Sequence, residues 1–333
     1  MTRKILPIIL LLFGLANIYS QTTDPIVENE QETTETEQAS AERTIYLPGL
    51  SYSLLSFNDI QFHNPSASLR VFRFNPIERD KFLSFSLSYN PQIINGIEHD
   101  FPDLYHSAAA FFIYGKKQHL INAGFMARTD KPLYGGLNTF MGMAGYSNNL
   151  IKKDHFSMTL GISLVVMDLG VKLNNGTTWM LWPLPIVMLN WEYDWINFSL
   201  MPIPRLEIAP KKPVSLTARA GYPDYDVAVW YKNFKEDNPS FEFFAIGAGV
   251  KNETNRLMFA DGRSYGINYN ALYGAVRIFR LFEISGGWTF NAKEGYGERN
   301  YEDLSNYAGI NVSKLDDKIG QGFFFSVSGR IMF

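Results

Sequence analysis

The chain has 333 residues, with 30 Lys+Arg against 33 Asp+Glu, five His and no Cys; 46% of it is hydrophobic and 15% aromatic. The near-neutral charge offers no electrostatic footprint for nucleic acid. The absence of cysteine excludes a disulfide scaffold, Cys-ligated zinc or iron–sulfur sites, a thiol nucleophile and a lipoprotein anchor.

Arg3 and Lys4 precede the apolar run 5–16 (ILPIILLLFGLA). A bilayer-spanning helix takes about 20 residues, so this run is too short to be one. With small Ser20 before Gln21 it reads as a cleaved secretory signal peptide over residues 1–20. Residues 21–43 carry seven acids against one base, Arg43, and almost nothing apolar. Such a stretch cannot offset its ordering entropy, so a disordered acidic linker is expected there. The folded domain is then 44–333, with no run long enough for a transmembrane helix.

That domain alternates with period two, the period of a strand. Over 82–89, Leu83, Phe85, Leu87 and Tyr89 oppose Ser84, Ser86 and Ser88; over 156–167, Met158, Leu160, Ile162 and Leu164 oppose Ser157, Thr159, Gly161 and Ser163. Over 282–291, Phe282, Ile284, Trp288 and Phe290 oppose Glu283, Ser285, Thr289 and Asn291. A sandwich would turn the apolar face inward; a transmembrane barrel turns it to lipid and keeps a polar lumen. Small uncharged polar faces, segments of about ten residues and aromatics near segment ends favour the barrel. Fifteen segments fit a strand, 195–207 counted as one of them. Single-chain bacterial barrels have even strand numbers, so the expectation is an all-β antiparallel barrel of about 14 strands, within a range of 12–16. Both ends of the chain are then periplasmic, with 91–104, 168–181 and 292–320 as external loops.

The hairpin 182–205 (WPLPIVMLNWEYDWINFSLMPIPR) is the most specific signal. A two-residue turn at Tyr193–Asp194 sets Trp191 opposite Ile196, Pro185 opposite Pro202, Pro183 opposite Pro204 and Trp182 opposite Arg205. Proline cannot donate to a ladder. In this register the four missing donors fall on the seams with the flanking strands, 156–167 and 213–221. Pro183, Pro185, Pro202 and Pro204 are therefore candidates for a lateral gate between lumen and membrane, the bland alternative being that they end the ladder.

Chemistry is otherwise sparse. No histidine pair has metal-ligand spacing, and His99, Asp100, Asp103 and His106 make the one local cluster of ligand types. No nucleophile elbow or phosphate loop occurs, so neither a metal nor a cofactor is expected, and an enzyme is the less favoured reading. Parity places Arg205, Glu207, Arg277, Glu283 and Arg330 in the lumen. There they would line a water channel or form a mutually paired polar core.

The last segment, 321–333, sets Phe323, Phe325, Val327, Ile331 and Phe333 against Ser326, Ser328 and Arg330. This alternating strand, ending on Phe333, resembles the terminal strand of bacterial outer-membrane β-barrel proteins. The resemblance implies recognition of Phe323, Phe325 and Phe333 by the barrel-assembly machinery, residence in the outer membrane of a diderm bacterium, and outer-membrane lipids as partners. The resulting functional expectation is a channel or transporter for small or apolar molecules. The alternatives are a lipid-modifying enzyme and a structural or adhesive surface barrel.

Overall fold

Among the described residues, the alternating segments form sixteen antiparallel strands. They are β1 (Arg43–Phe57), β2 (Ile60–Phe74), β3 (Lys81–Asn95), β4 (Leu104–Lys116), β5 (His119–Thr129), β6 (Thr139–Lys153), β7 (Phe156–Asp168) and β8 (Trp179–Tyr193). Then follow β9 (Ile196–Met201), β10 (Ile203–Ile208), β11 (Val214–Ala220), β12 (Tyr225–Lys235), β13 (Asn238–Met258), β14 (Arg263–Ile278), β15 (Phe282–Glu298) and β16 (Asp317–Arg330). Each pairs with its neighbours in sequence, and β16 closes on β1 from Gly49↔Arg330 to Phe57↔Gly322. The structure, a computed structural model, describes residues 43–58, 60–75, 81–96, 102–131, 137, 139–168, 179–201, 203–221, 224–235, 238–259, 263–298, 315 and 317–331. The expected signal peptide, the linker up to residue 42, and Pro202 and Phe333 lie outside these residues.

Sixteen strands replace the fourteen favoured from sequence. The expected single strand 195–207 is two strands. The chain reverses between Met201 and Ile203, and β9 pairs with β10 from Met201↔Ile203 to Ile196↔Ile208.

Burial follows parity. On β7, Leu160, Ile162 and Leu164 are exposed on the outside, whereas Thr159 and Ser163 are buried behind them. On β16, Phe323, Phe325 and Val327 face out and Phe324 is buried. On β12, Val227, Val229 and Tyr231 face out and Ala228 and Trp230 face in. The outside is thus an apolar surface around an interior that mixes small polar residues with buried aromatics, the outward apolar face being that of a lipid-embedded barrel.

Tyrosine–histidine contacts stud this outer surface. Nδ1 of His63, His106 and His119 hydrogen-bonds with the hydroxyls of Tyr52, Tyr89 and Tyr146 at 2.7, 2.6 and 2.6 Å. His155 stacks on Tyr193 at 4.6 Å between ring centroids. Amphipathic rings of this kind suit a membrane–water boundary.

Turns at the end where β1 starts and β16 stops are short, with Lys117–Gln118, Asp154–His155 and Asp194–Trp195 each joining two strands. Lys211 donates to Asp194 at 3.0 Å and holds that carboxyl below its ordinary pKa. We call this the terminal end and the opposite one the loop end.

The interior is filled on one side. Toward the loop end, Phe57 and Phe62 meet residues of β14, three strands or more away around the wall. Phe57 packs edge-on to Tyr269 at 5.6 Å, Phe62 stacks on Tyr265 at 6.3 Å, and Tyr105 meets Phe259 at 6.2 Å. Leu55, Leu257 and Ile267 pack into the same cluster.

Candidate functional site

Strand length makes the wall uneven. β13 has 21 residues, whereas β9 and β10 have six each and β11 seven. Six residues extend about 20 Å, and a tilted membrane strand needs roughly 9–11 residues. The wall at β9–β11 is therefore too low to cross the hydrocarbon. β8 rises past it. β8 is laddered to β7 from Phe156↔Trp191 to Asp168↔Trp179, but its pairing with β9 covers only Leu189↔Leu200 to Tyr193↔Ile196. Among the described residues, Leu181–Met188 has no partner strand on that side. Across the gap, β12 stops at Tyr225, opposite Asn252, while β13 continues to Met258 on β14 alone.

The open stretch is apolar on both faces. Leu181 and Val187 on the outward parity are 54% and 47% exposed, and Trp182 and Leu184 on the inward parity are 49% and 51% exposed. An ordinary barrel strand would show exposed apolar groups on its lipid face alone.

This geometry corrects the expected hairpin. The turn is Asp194–Trp195, so Trp191 faces Phe198 rather than Ile196. Pro185 and Pro183 lie beyond the last β8–β9 pair, Leu189↔Leu200, so neither stands opposite Pro204, and on their other side they face Ile162 and Leu164 of β7. Pro204 faces Leu200, and Arg205 faces Ser199 instead of Trp182. The direction of the missing donors changes as well. Glu192 N–H donates to His155 O at 2.9 Å, toward β7. Backbone groups alternate sides along a strand, so the nitrogens of Pro183 and Pro185 point to the open edge and the β7 seam is intact. Pro204 lies just past the last β10–β11 pair, Arg205↔Arg219.

A lipid-exposed edge costs several kcal/mol per orphan polar group unless it borders a wet cavity, and proline removes donors that another strand could capture. Restoring those donors with Pro183→Val and Pro185→Val gives them no partner within the barrel. The thermal midpoint in detergent should therefore stay within a few degrees of wild type while edge-to-edge association rises, as read by sedimentation. A large gain in the midpoint would show that a partner strand had been waiting.

Below the gap, several interior charges are paired. Lys232 donates to Glu207 Oε1 at 2.6 Å and to Pro210 O at 3.2 Å; the two side chains are only 4% and 16% exposed. Arg277 meets Glu283 at 2.9 Å and Glu242 at 3.8 Å, and Arg280 meets Glu242 at 3.4 Å. The Arg277 guanidinium lies 4.3 Å over Trp230. A Cβ on Gly247 would come within 2.6 Å of that ring, which explains a residue without one there. Arg330 lies in the fields of Glu283 and Arg277. Arg205 stands opposite Arg219, itself opposite Asp226, to which Tyr273 donates at 2.6 Å.

Sequence reasoning missed Lys232 and Glu242. Lys232 shares its parity with Trp230, so the same alternation that selected Glu207 could have found it. His99 and Asp100 lie outside the described residues, His106 engages Tyr89, and among the described residues no three metal-ligand side chains gather.

A closed, even-stranded antiparallel barrel, apolar outside and ion-paired within, defines the class: a β-barrel of the bacterial outer-membrane kind. The solved structures it is similar to include CdiB from Acinetobacter baumannii, at 9% identity and TM-score 0.33, covering 86% of this chain and 60% of that one. An outer membrane channel from Pseudomonas putida F1 matches at 9% identity and TM-score 0.30, over 91% and 100% of the two chains. The outer membrane protein OpdK from Pseudomonas aeruginosa matches at 6% and 0.26, over 87% and 99%. The chain thus spans about 60% of the length of CdiB. These likenesses are loose, and the class follows from the chain's own geometry. No protein-family model and no curated protein sequence matches it.

Proposed function

We propose that this barrel is a non-enzymatic transporter that passes apolar molecules sideways between its interior and the outer leaflet of the outer membrane, through the gap beside β8. The observation that carries this reading is the stretch Leu181–Met188, apolar on both faces and bordered by a wall of six-residue strands. The filled interior at β13–β16 and β1–β4 argues against a straight aqueous pore on that side. Export by a cleaved signal over residues 1–20, a periplasmic terminal end and handling by the assembly machinery through Phe323, Phe325 and Phe333 belong to the same reading. Phe323 and Phe325 are outward and exposed on the closing strand.

Trp182 provides the test. It has the parity of the interior, yet it borders the gap. A variant keeping Trp182 alone, its other tryptophans replaced by Phe, should lose fluorescence when rebuilt in vesicles of brominated phosphatidylcholine. A variant keeping only Trp230, which is 5% exposed, should not. Equal brightness of the Trp182 variant in brominated and ordinary vesicles would refute a gap open to hydrocarbon.

A further inference from the structure

Register brings together residues that are far apart in the chain. Met126 on β5 stands opposite Met141 on β6, Met141 opposite Met167 on β7, and Met167 opposite Met180 on β8. Four neighbouring strands thus carry methionine in one unbroken cross-strand row. The row faces the interior. On β5, Ile121 and Phe125 have the other parity and are exposed outside, and on β7 so are Leu160, Ile162 and Leu164. The adjacent row agrees, since Met143 stands opposite Val165 of β7, which has this parity and is buried. All four methionines are half-buried, so part of each side chain remains accessible.

Three strand-to-strand steps of about 4.8 Å give the row a length of roughly 14 Å. One end is Met180, at the loop-end limit of the open strand; next to it, the Met143 row continues through Val165 to Trp182. The row has no charge and no hydrogen-bond donor. Methionine adds three rotatable bonds and a polarizable sulfur, a surface that reshapes around a flexible apolar partner. If the gap beside β8 opens to the bilayer as proposed, the flexible apolar component it admits is a lipid acyl chain.

We propose that Met126, Met141, Met167 and Met180 form the interior binding track for a single lipid acyl chain admitted past the edge of β8. This deepens the lateral-transport reading and rests on it. The chain lies against the thioethers with its head group left toward water at the loop end.

The test uses the full mature barrel in detergent and the fluorescent fatty acid cis-parinaric acid. Leucine at all four positions keeps the track apolar and should hold binding within a few-fold of wild type. Met141→Gln with Met167→Gln keeps length but adds polar groups, and should weaken binding about tenfold or more. Should the glutamine variant fail to fold, wild-type protein answers instead. Oleate should slow peroxide oxidation of these four methionines relative to Met158, which has the opposite parity on β7, as read by peptide mass spectrometry. Unchanged binding in the glutamine variant, or no protection by oleate, overturns the proposal. So does tight silver(I) binding that the leucine variant loses, with no fatty-acid effect, because thioethers are also soft-metal ligands. Quenching of Trp182 without any effect of the row would leave the gap standing and remove the track. Binding at the row with Trp182 unquenched would keep the track and remove the gap as its entrance.

Discussion

Glu207→Gln should destabilise the barrel by about 3–5 kcal/mol, because it strands the Lys232 ammonium in the interior. Lys232 is 4% exposed and donates to Glu207 at 2.6 Å; its other acceptor is the neutral Pro210 carbonyl. An exposed pair of the same length would contribute roughly 0–1 kcal/mol, so the size of the loss reports burial rather than distance. Adding Lys232→Met to the glutamine variant should recover most of the stability, since no buried charge then remains. Urea unfolding in detergent, followed by the gel-mobility difference between folded and unfolded barrel, measures both. A loss under about 1 kcal/mol for the single variant would mean that water reaches the pair and that the terminal half of the lumen is wet.

Ion current should rise sharply when the aromatic cluster is trimmed. Phe57, Phe62 and Tyr265 are at most 1% exposed and join β1 and β2 to β14 across the interior. Wild-type barrel in a planar bilayer should conduct weakly, since this side of the loop end is packed shut. Phe57→Ala, Phe62→Ala and Tyr265→Ala together remove the ring stack and should open a larger, steadier conductance. Each truncation also costs roughly 3–5 kcal/mol, so folding is checked by the same gel-mobility assay before current is read. A large wild-type current, unchanged in the triple variant, would show that ions bypass the cluster and that it serves stability alone. Together with Trp182 quenching, this separates an aqueous pore from a sideways path. The first predicts current in wild type, the second predicts contact with lipid tails without it.

The gap and the row of methionines differ in how they could be anticipated. Prolines in 182–205 point to a weakened ladder from sequence alone, because the missing donor is a covalent fact. Which seam they weaken depends on where the turn falls, and moving it by one residue to Asp194–Trp195 re-aims the argument from the β7 seam to an open edge. The row of methionines has no local signature. Its members are spaced 15, 26 and 13 residues apart in the chain, and only the registers of three successive hairpins align them.

Period-two alternation by itself determined the all-β class, the lipid-facing parity of residues such as Leu160, Ile162, Phe323 and Phe325, and the inward parity of Glu207 and Arg277, because each is a property of successive residues on one strand. It could not register the reversal between Met201 and Ile203. Pairs there, such as Phe198 with Leu206 and Leu200 with Pro204, join even-numbered positions, so the apolar phase runs through the bend unbroken. Closure of the sheet decided the rest. Which side chains meet across the interior, as Phe62 and Tyr265 do, where the wall falls too low to span the membrane, and which charge Glu207 finds depend on curvature and stagger around the whole cylinder, distances that no stretch of sequence contains.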